Sequence, residues 1–203
     1  MNKPEKHTRL QRIMRETFSI GLLLLGLLAV RSTLADHYSV PSGSMQPNLM
    51  PGDRVVVDKR AYGLRVPFTQ VHLRDGEPVR RGEVVIFDSP RDGTRLIKRI
   101  VAIGGDEVII RSGHLFVNGE PMAAAGQSGV EVFSNRTVRL DLGSGGGPDY
   151  SDVIPDGMLL AVGDHRGNSL DGRLFGVIEE NSVYGRAIAV YYRRDHGLVW
   201  KEL

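Results

Sequence analysis

The longest apolar stretch in the chain lies near its N-terminus. Residues 17–30, TFSIGLLLLGLLAV, contain no charged side chain. Continued to Ala35 the stretch covers 19 residues, and a helix of that length spans about 28 Å, close to the roughly 30 Å hydrocarbon core of a bilayer. Five basic side chains precede it, a pattern that keeps the preceding segment in the cytoplasm. We therefore predict a cytoplasmic basic N-terminus at residues 1–16 and a transmembrane anchor at residues 17–35.

A second interpretation of this stretch remains open. A basic segment, a leucine-rich segment and the small residues Thr33 and Ala35 also describe a signal peptide that is cleaved before Asp36. Both interpretations place residues 36–203 on the outer side of the membrane. That portion is large enough for one domain.

The exported portion consists of short apolar runs with β-type composition, separated by Gly and Asp turn signals. The pair Asn118-Gly119 predicts a hairpin. Outside the anchor, no 3.6-residue apolar period is long enough to predict a second large helix. We predict a mainly β fold, an antiparallel sandwich or partly open barrel, with a flexible Gly-rich excursion at about 123–156. The predicted strand runs are 53–58, 83–87, 95–103, 107–110, 114–117, 130–133, 136–142, 158–162 and 182–192.

Composition and charge remove several classes of function. The chain has no cysteine, which excludes thiolate chemistry and disulfides. The net charge is +2 overall and +3 within residues 1–16, which leaves −1 for the remainder. A nucleic-acid partner is not expected, because its binding needs a basic face. No histidine pair has the spacing of a zinc hydrolase site, so we expect no metal.

Two serines and one lysine are candidates for nucleophilic chemistry. Ser42 and Ser44 lie in VPSGSMQPNLMPGD, and Lys98 lies in RLIKRIVAI. A serine hydroxyl needs a base, and a lysine amine can serve as one only when it is neutral. Apolar burial favours the neutral form, and strand alternation puts Lys98 and Ile100 on one face. From these residues alone, a surface lysine is the favoured interpretation of Lys98, and both serines could be turn residues.

Four blocks follow one another along the chain: PSGSMQPNLMPGD (41–53), RGEVVIFDSP (81–90), LIKRIVAIGGDEV (96–108) and GDHRGNSLDGRLFG (163–176). Taken in order, they resemble the type I signal peptidase (leader peptidase) family, the membrane-anchored Ser–Lys proteases that remove signal peptides from exported proteins. The Ser-Gly-Ser-Met form is similar to that of the Gram-negative branch.

The resemblance implies a role for each matching residue. Ser44 would be the nucleophile and Lys98 its general base, while the Ser44 N–H and the Ser42 hydroxyl would form the oxyanion hole. Ser169 would orient the Lys98 amine. Asp164 with Arg99, and Asp171 with Arg173, would be supporting polar pairs. The positions that would line shallow pockets for small side chains are Tyr38, Val40, Met45, Leu49, Ile86 and Ile97.

The resemblance also implies cleavage after Ala-x-Ala-like sites, signal peptides and the lipid bilayer as partners, no cofactor, and a single-pass location in the bacterial inner membrane with a periplasmic catalytic domain. Four positions depart from the usual pattern and put the supporting hydrogen bonds in doubt. They are Asn48 for Thr, His165 for Asn, Gly167 for Asp and Gly172 for Ser.

Two other functions are alternatives to signal peptide cleavage. A self-cleaving repressor-type Ser–Lys protease would carry a DNA-binding domain where this chain has the apolar segment. A catalytically silent, membrane-tethered scaffold would be indicated by the loss of Ser44 or Lys98, and both residues are present.

Overall fold

The computed structural model describes residues 11–24, 35–65, 72–134 and 136–203. Residues 11–24 form helix α1, whose side chains are exposed. Within these described ranges, no helix is both long enough and apolar enough to cross a membrane. The predicted anchor at 17–35 lies partly outside the described residues, so it stays a prediction.

The largest sheet has eight strands in the order β1-β2-β16-β5-β6-β14-β15, with β17 paired to β16. Every strand pair in it is antiparallel. The described sheets do not close into a barrel, and the prediction of a mainly antiparallel β fold is confirmed. The strands of this sheet are β1 (Ala35–Ser39), β2 (Arg54–Asp58), β5 (Val84–Asp88), β6 (Arg95–Ile103), β14 (Met158–Val162), β15 (Ile178–Glu179), β16 (Val183–Arg193) and β17 (Gly197–Glu202).

Three smaller sheets complete the β structure. Their orders are β10-β11-β12, β13-β7-β8-β9 and β3-β4. Asn118 and Gly119, both at positive φ, join β8 to β9, so the predicted hairpin is confirmed. The strands are β3 (Gly63–Arg65), β4 (His72–Asp75), β7 (Glu107–Arg111), β8 (His114–Val117), β9 (Glu120–Pro121), β10 (Ala123–Ala124), β11 (Gln127–Phe133), β12 (Arg136–Arg139) and β13 (Tyr150–Val153).

The Gly-rich segment at 123–156 is part of these sheets. It contains β10, β11, β12 and β13, and Phe133 and Val138 are buried in a core cluster together with Leu115. The sequence predicted an excursion here because glycine and turn residues interrupt its apolar runs. Tertiary contacts with the neighbouring sheet supply the apolar partners that the local pattern does not reveal.

Strand β6 lies at the centre of the molecule. Two of its residues contribute to different apolar clusters, Ile97 to one and Ile100 to another, as strand alternation predicts. Besides α1, the described residues contain one short α-helix, α2 (Gly172–Phe175), which Asp171 caps by accepting a hydrogen bond from the Arg173 N–H. Strand β6 and the segment leading into α2 bring the predicted site residues together.

Candidate active site

Ser44 lies in a short 3-10 turn, Gly43–Met45, directly after β1. Backbone hydrogen bonds close the surrounding loop: the Val40 N–H donates to the Asp53 carbonyl at 2.9 Å, and the Gly52 N–H donates to the Val40 carbonyl at 2.8 Å. The Ser44 side chain is buried. The turn-forming residues of this stretch therefore hold a serine against the sheet.

Lys98, on β6, faces this serine. Its Nζ lies 2.5 Å from the Oγ of Ser44, and its side chain is only 3% exposed. Burial lowers the pKa of Lys98 to about 8, against the opposing effect of the Asp171 and Asp164 carboxylates, and the Arg173 guanidinium lowers it further. A pKa near 8 leaves a usable fraction of neutral amine at physiological pH, which a general base requires.

Both predicted ion pairs are formed beside Lys98. Arg99 donates to Asp164 through Nε and Nη2, each at 2.8 Å. Arg173 donates to Asp171 through Nε and Nη2, each at 2.9 Å. All four side chains are buried. Each carboxylate is thus largely neutralised by its own arginine, which limits how far it can raise the pKa of Lys98.

The structure places the two remaining predicted serines differently. The Oγ of Ser42 lies 3.2 Å from the Oγ of Ser44. The Oγ of Ser169 is buried, and it has no hydrogen-bond partner among the described residues. Burial raises the pKa of the nearby Asp171 carboxyl, but the Arg173 guanidinium, the Gly163 N–H and, least of these, the Ser169 hydroxyl lower it, so that the net shift of this pKa is downward. The predicted hydrogen bond from Ser169 to Lys98 is not formed.

The predicted pocket residues collect in one place. Five of the six belong to a single buried apolar cluster, and Tyr38 packs against it. Met45 and Leu49 are fully covered, so they support this surface from below. The other members of the cluster that were predicted to line the pocket are Val40, Ile86 and Ile97.

Three polar contacts in the site were not predicted from the sequence. The Nδ2 of Asn48 donates to the Oδ2 of Asp164 and to the Arg139 carbonyl, both at 2.7 Å. Arg166, fully buried, forms a two-pronged pair with Glu131 of β11, at 2.8 and 2.6 Å. The sequence drew attention to Asn48, because this residue departs from the family pattern. It did not indicate that the hydrogen-bond partner of Asn48 is Asp164.

His165 makes the third of these contacts. Its backbone N–H donates to the Ser44 carbonyl at 3.1 Å, and its Nε2 lies 3.1 Å from the Oγ of Ser144. Gly163 lies against the same carbonyl, because a Cβ there would come within 2.5 Å of it and within 2.2 Å of the Ser169 Oγ. The backbone of Ser44 is therefore held by residues 163–165.

No group of three or more potential metal ligands occurs among the described residues. The site contains a hydroxyl, a buried amine beside it, and charged pairs that set the electrostatic surroundings of the amine. A serine in contact with a base is the arrangement of nucleophilic hydrolases. Fold and site together define the class as a β-sheet protein with a candidate Ser–Lys active site.

Comparison with known proteins identifies the family. The family described as "Signal peptidase, peptidase S26" matches residues 11–192, and the chain therefore belongs to this family of serine peptidases. It is 32% identical over 196 residues to signal peptidase I of Pseudomonas aeruginosa and 31% identical over 195 residues to signal peptidase I of Pseudomonas fluorescens. Each match covers 83% of this chain and 69% of the relative.

Among solved structures, the chain is similar to the crystal structure of a signal peptidase I from Enterococcus faecalis V583. The two share 25% sequence identity with a TM-score of 0.41, and the match covers 54% of this chain and 97% of the other.

Proposed function

We propose that this protein is a membrane-anchored signal peptidase I that cleaves signal peptides from exported preproteins, with Ser44 as the nucleophile and neutral Lys98 as the general base. The observation that carries the proposal is the 2.5 Å contact between the Lys98 Nζ and the Ser44 Oγ in a buried setting that lowers the pKa of the amine to about 8. Membership of the signal peptidase family supports the substrate class.

In the proposed mechanism the Ser44 oxygen attacks the scissile carbonyl while its proton passes to the Lys98 amine. The Ser44 N–H and the Ser42 hydroxyl stabilise the resulting oxyanion. When the C–N bond breaks, the Lys98 ammonium gives its proton to the leaving amine and an ester forms on Ser44. Lys98 then takes a proton from water as the water oxygen attacks the ester. When the bond between the ester carbon and the Ser44 oxygen breaks, the Lys98 ammonium returns that proton to the Ser44 oxygen, and the signal peptide leaves with a new carboxyl group that ionises in water.

Specificity in this proposal comes from the apolar cluster beside Ser44. Val40, Ile86 and Ile97 are already almost completely covered by their neighbours, so only shallow surface remains for substrate side chains. Small residues such as Ala, at the first and third positions before the cut, suit such a surface.

Anchoring at residues 17–35 is part of the proposal. The part of α1 that is described presents apolar side chains to solvent, including Phe18 at 72% and Leu23 at 63% exposure. A bilayer would cover them, and an anchored enzyme shares a plane with its membrane-bound substrate, which raises their effective concentration.

The test is cleavage of a purified preprotein by the full chain in detergent, with the cut mapped by mass spectrometry. We expect a cut after an Ala-x-Ala-like site, and no cut with Ser44→Ala or Lys98→Ala, both of which should still fold. Substantial processing by Ser44→Ala would refute the nucleophile assignment.

A further inference from the structure

The glycine turn, Gly143–Gly147, packs against the segment that carries the polar groups of the site. Arg173 Nη1 donates to the Gly146 carbonyl at 2.8 Å, and the Nη2 of the same guanidinium donates to the Arg166 carbonyl at 2.7 Å. The Ser144 Oγ lies 3.1 Å from the His165 Nε2. The turn therefore contacts two side chains of residues 165–173, those of His165 and Arg173.

This contact is close enough to require glycine on both sides. A Cβ at Gly147 would lie 2.3 Å from the Arg166 carbonyl oxygen and 2.7 Å from the Arg173 Nη1, and one at Gly167 would lie 2.2 Å from the Ser144 carbonyl oxygen. Such separations are well below van der Waals contact. An Asp at position 167, the usual residue of the family, could not sit against this turn without displacing it.

His165 and Gly167 are two of the positions where the chain departs from the family pattern, and both contact the glycine turn. His165 supplies a ring nitrogen that reaches Ser144, and Gly167 supplies the space for the Ser144 carbonyl. His165 and Gly167 thus fit against the glycine turn.

The two residues that the turn holds are also linked to the proposed catalytic groups, Arg173 through its charge and its pairing with Asp171, and His165 through its backbone N–H. Arg173 pairs with Asp171, and the charged groups that face Lys98 are Asp171, Asp164 and Arg173. His165 donates its N–H to the Ser44 carbonyl. A displacement of the turn would be transmitted to both ends of the Ser44–Lys98 pair.

We propose that the glycine turn is a positioning element of the active site, which fixes Arg173 beside Lys98 and His165 behind Ser44. The inference rests on the proposed Ser–Lys function. Gly145 offers a matched control for Gly147: both have positive φ, at 81° and 70°, but a Cβ at Gly145 meets nothing within 4 Å. Both alanine variants bear the same kind of backbone strain, and only Gly147→Ala collides with Arg166 and Arg173.

The experiment compares preprotein cleavage by wild type, Gly147→Ala and Gly145→Ala across pH. We expect kcat/KM for Gly147→Ala to fall roughly tenfold below that of Gly145→Ala, mainly through kcat, because small misplacements of catalytic groups are costly. Its acid limb should move up by about 1 pH unit, since Asp171 would lose part of its neutralisation and favour the charged lysine. Equal profiles for the two variants would overturn the inference.

A second variant covers the case in which Gly147→Ala fails to fold. Ser144 is exposed, so Ser144→Ala removes the hydroxyl that contacts His165 with little risk to folding. We expect a roughly threefold to tenfold lower kcat, restored by Ser144→Thr. An unchanged kcat in Ser144→Ala would count against the turn as a positioning element.

The titration of Lys98 separates this inference from the proposed function. The chain has five lysines, so Lys98 can be followed by NMR in isotope-labelled protein and assigned by its loss in Lys98→Met. If wild type cleaves no preprotein, the proposed function fails, while a higher Lys98 pKa in Gly147→Ala than in Gly145→Ala still supports the turn as a positioning element. Identical Lys98 titrations in the two variants would contradict it.

Discussion

Lys98 is the residue on which the proposed reaction depends, and its environment predicts how the rate changes with pH. The amine must be neutral to accept the Ser44 proton, and its pKa is lowered to about 8. We therefore expect kcat/KM to rise with pH along an acid limb with its midpoint near 8, since kcat/KM reports the free enzyme. The measurement is preprotein cleavage from pH 6 to 9.5. A flat profile, with chemistry limiting, would exclude Lys98 as the base.

The same burial predicts a cost in stability. The pKa of Lys98 is about 8 in the folded protein against 10.5 in an exposed lysine, so between these values the unfolded chain binds more protons and stability rises with pH. Below pH 8 the full cost remains, about 3 kcal/mol. We expect Lys98→Met to abolish cleavage while raising the free energy of unfolding at pH 7 by on the order of 1–3 kcal/mol, because Asp164 and Asp171 keep their own arginine partners.

Urea denaturation of wild type and Lys98→Met at pH 7 and pH 10 measures the free energy of unfolding, and so tests whether the burial of Lys98 lowers stability. The gain should shrink at pH 10, where the wild-type lysine is already neutral in the folded state. A Lys98→Met variant less stable than wild type at pH 7 would show that the amine contributes more through its contacts than it costs through burial.

At this scale, residues within contiguous blocks could be predicted from sequence and their distant partners could not. Ser44 and Lys98 lie in short blocks whose residue types are characteristic, and the structure brings them into contact. Asn48 and Asp164 are 116 residues apart, and nothing in the local pattern around either one indicates the hydrogen bond between them. The orienting role that the resemblance implies for Ser169 has no matching hydrogen bond, because its buried Oγ has no hydrogen-bond partner among the described residues.

At the scale of elements, strand prediction succeeded where apolar runs were uninterrupted. The predicted bounds of β6, β8 and β14 are those of the structure. Of the strands that were not predicted, β9, β10 and β15 have two residues each, too few to show any period. Strand β17 was not predicted although it contains the apolar run Leu198-Val199-Trp200, and the other strands that were not predicted are β1, β3, β4 and β13.

Strand β11 connects to the active site through a buried ion pair. Glu131 on β11 and Arg166 in the segment before α2 are 2% and 1% exposed. Removing one member of a buried pair leaves an uncompensated charge, which typically costs 3–5 kcal/mol. We expect Glu131→Gln and Arg166→Met each to lower the free energy of unfolding by about 3 kcal/mol, and the double variant to lose less than the sum.

A double-mutant cycle from urea denaturation measures this coupling. Additive losses would mean that Arg166 is held by its bonds to the Gly113 and Gly163 carbonyls and that β11 is not coupled to the site. A strong coupling energy would show that the strands within residues 123–139 stabilise the segment from Gly163 to α2.

At the scale of the whole molecule, the chain folds distant blocks onto a single central strand. Strand β6 carries Lys98 and Arg99, the nucleophile turn follows edge strand β1, and the segment from Gly163 to α2 closes the site from β14. The short apolar runs predicted the sheet class, and the resemblance to the signal peptidase family supplied the four blocks and their order. The sequence could not predict which strands pair, since pairing depends on contacts between residues far apart in the chain.

The structure also bears on whether the N-terminal segment is retained. The alternative signal-peptide interpretation requires cleavage between Ala35 and Asp36, and both residues lie within β1, paired with Asp58 and Val57 of β2. The Asp36 carboxylate accepts from the Tyr184 hydroxyl at 3.2 Å and lies 3.2 Å from the Lys59 Nζ. A peptidase binds an extended peptide with free backbone groups, and this bond is engaged in the sheet.

We therefore expect the mature protein to keep residues 1–35 and to remain in the membrane fraction after carbonate extraction. N-terminal sequencing of protein isolated from membranes is the measurement. As a control, Tyr184→Phe combined with Asp36→Asn weakens the contacts at this bond without altering the apolar segment, and cleavage before position 36 should become detectable only in that variant. A wild-type chain that begins at Asp36 would exclude the anchor, and the enzyme would then have to reach its substrates without sharing their membrane.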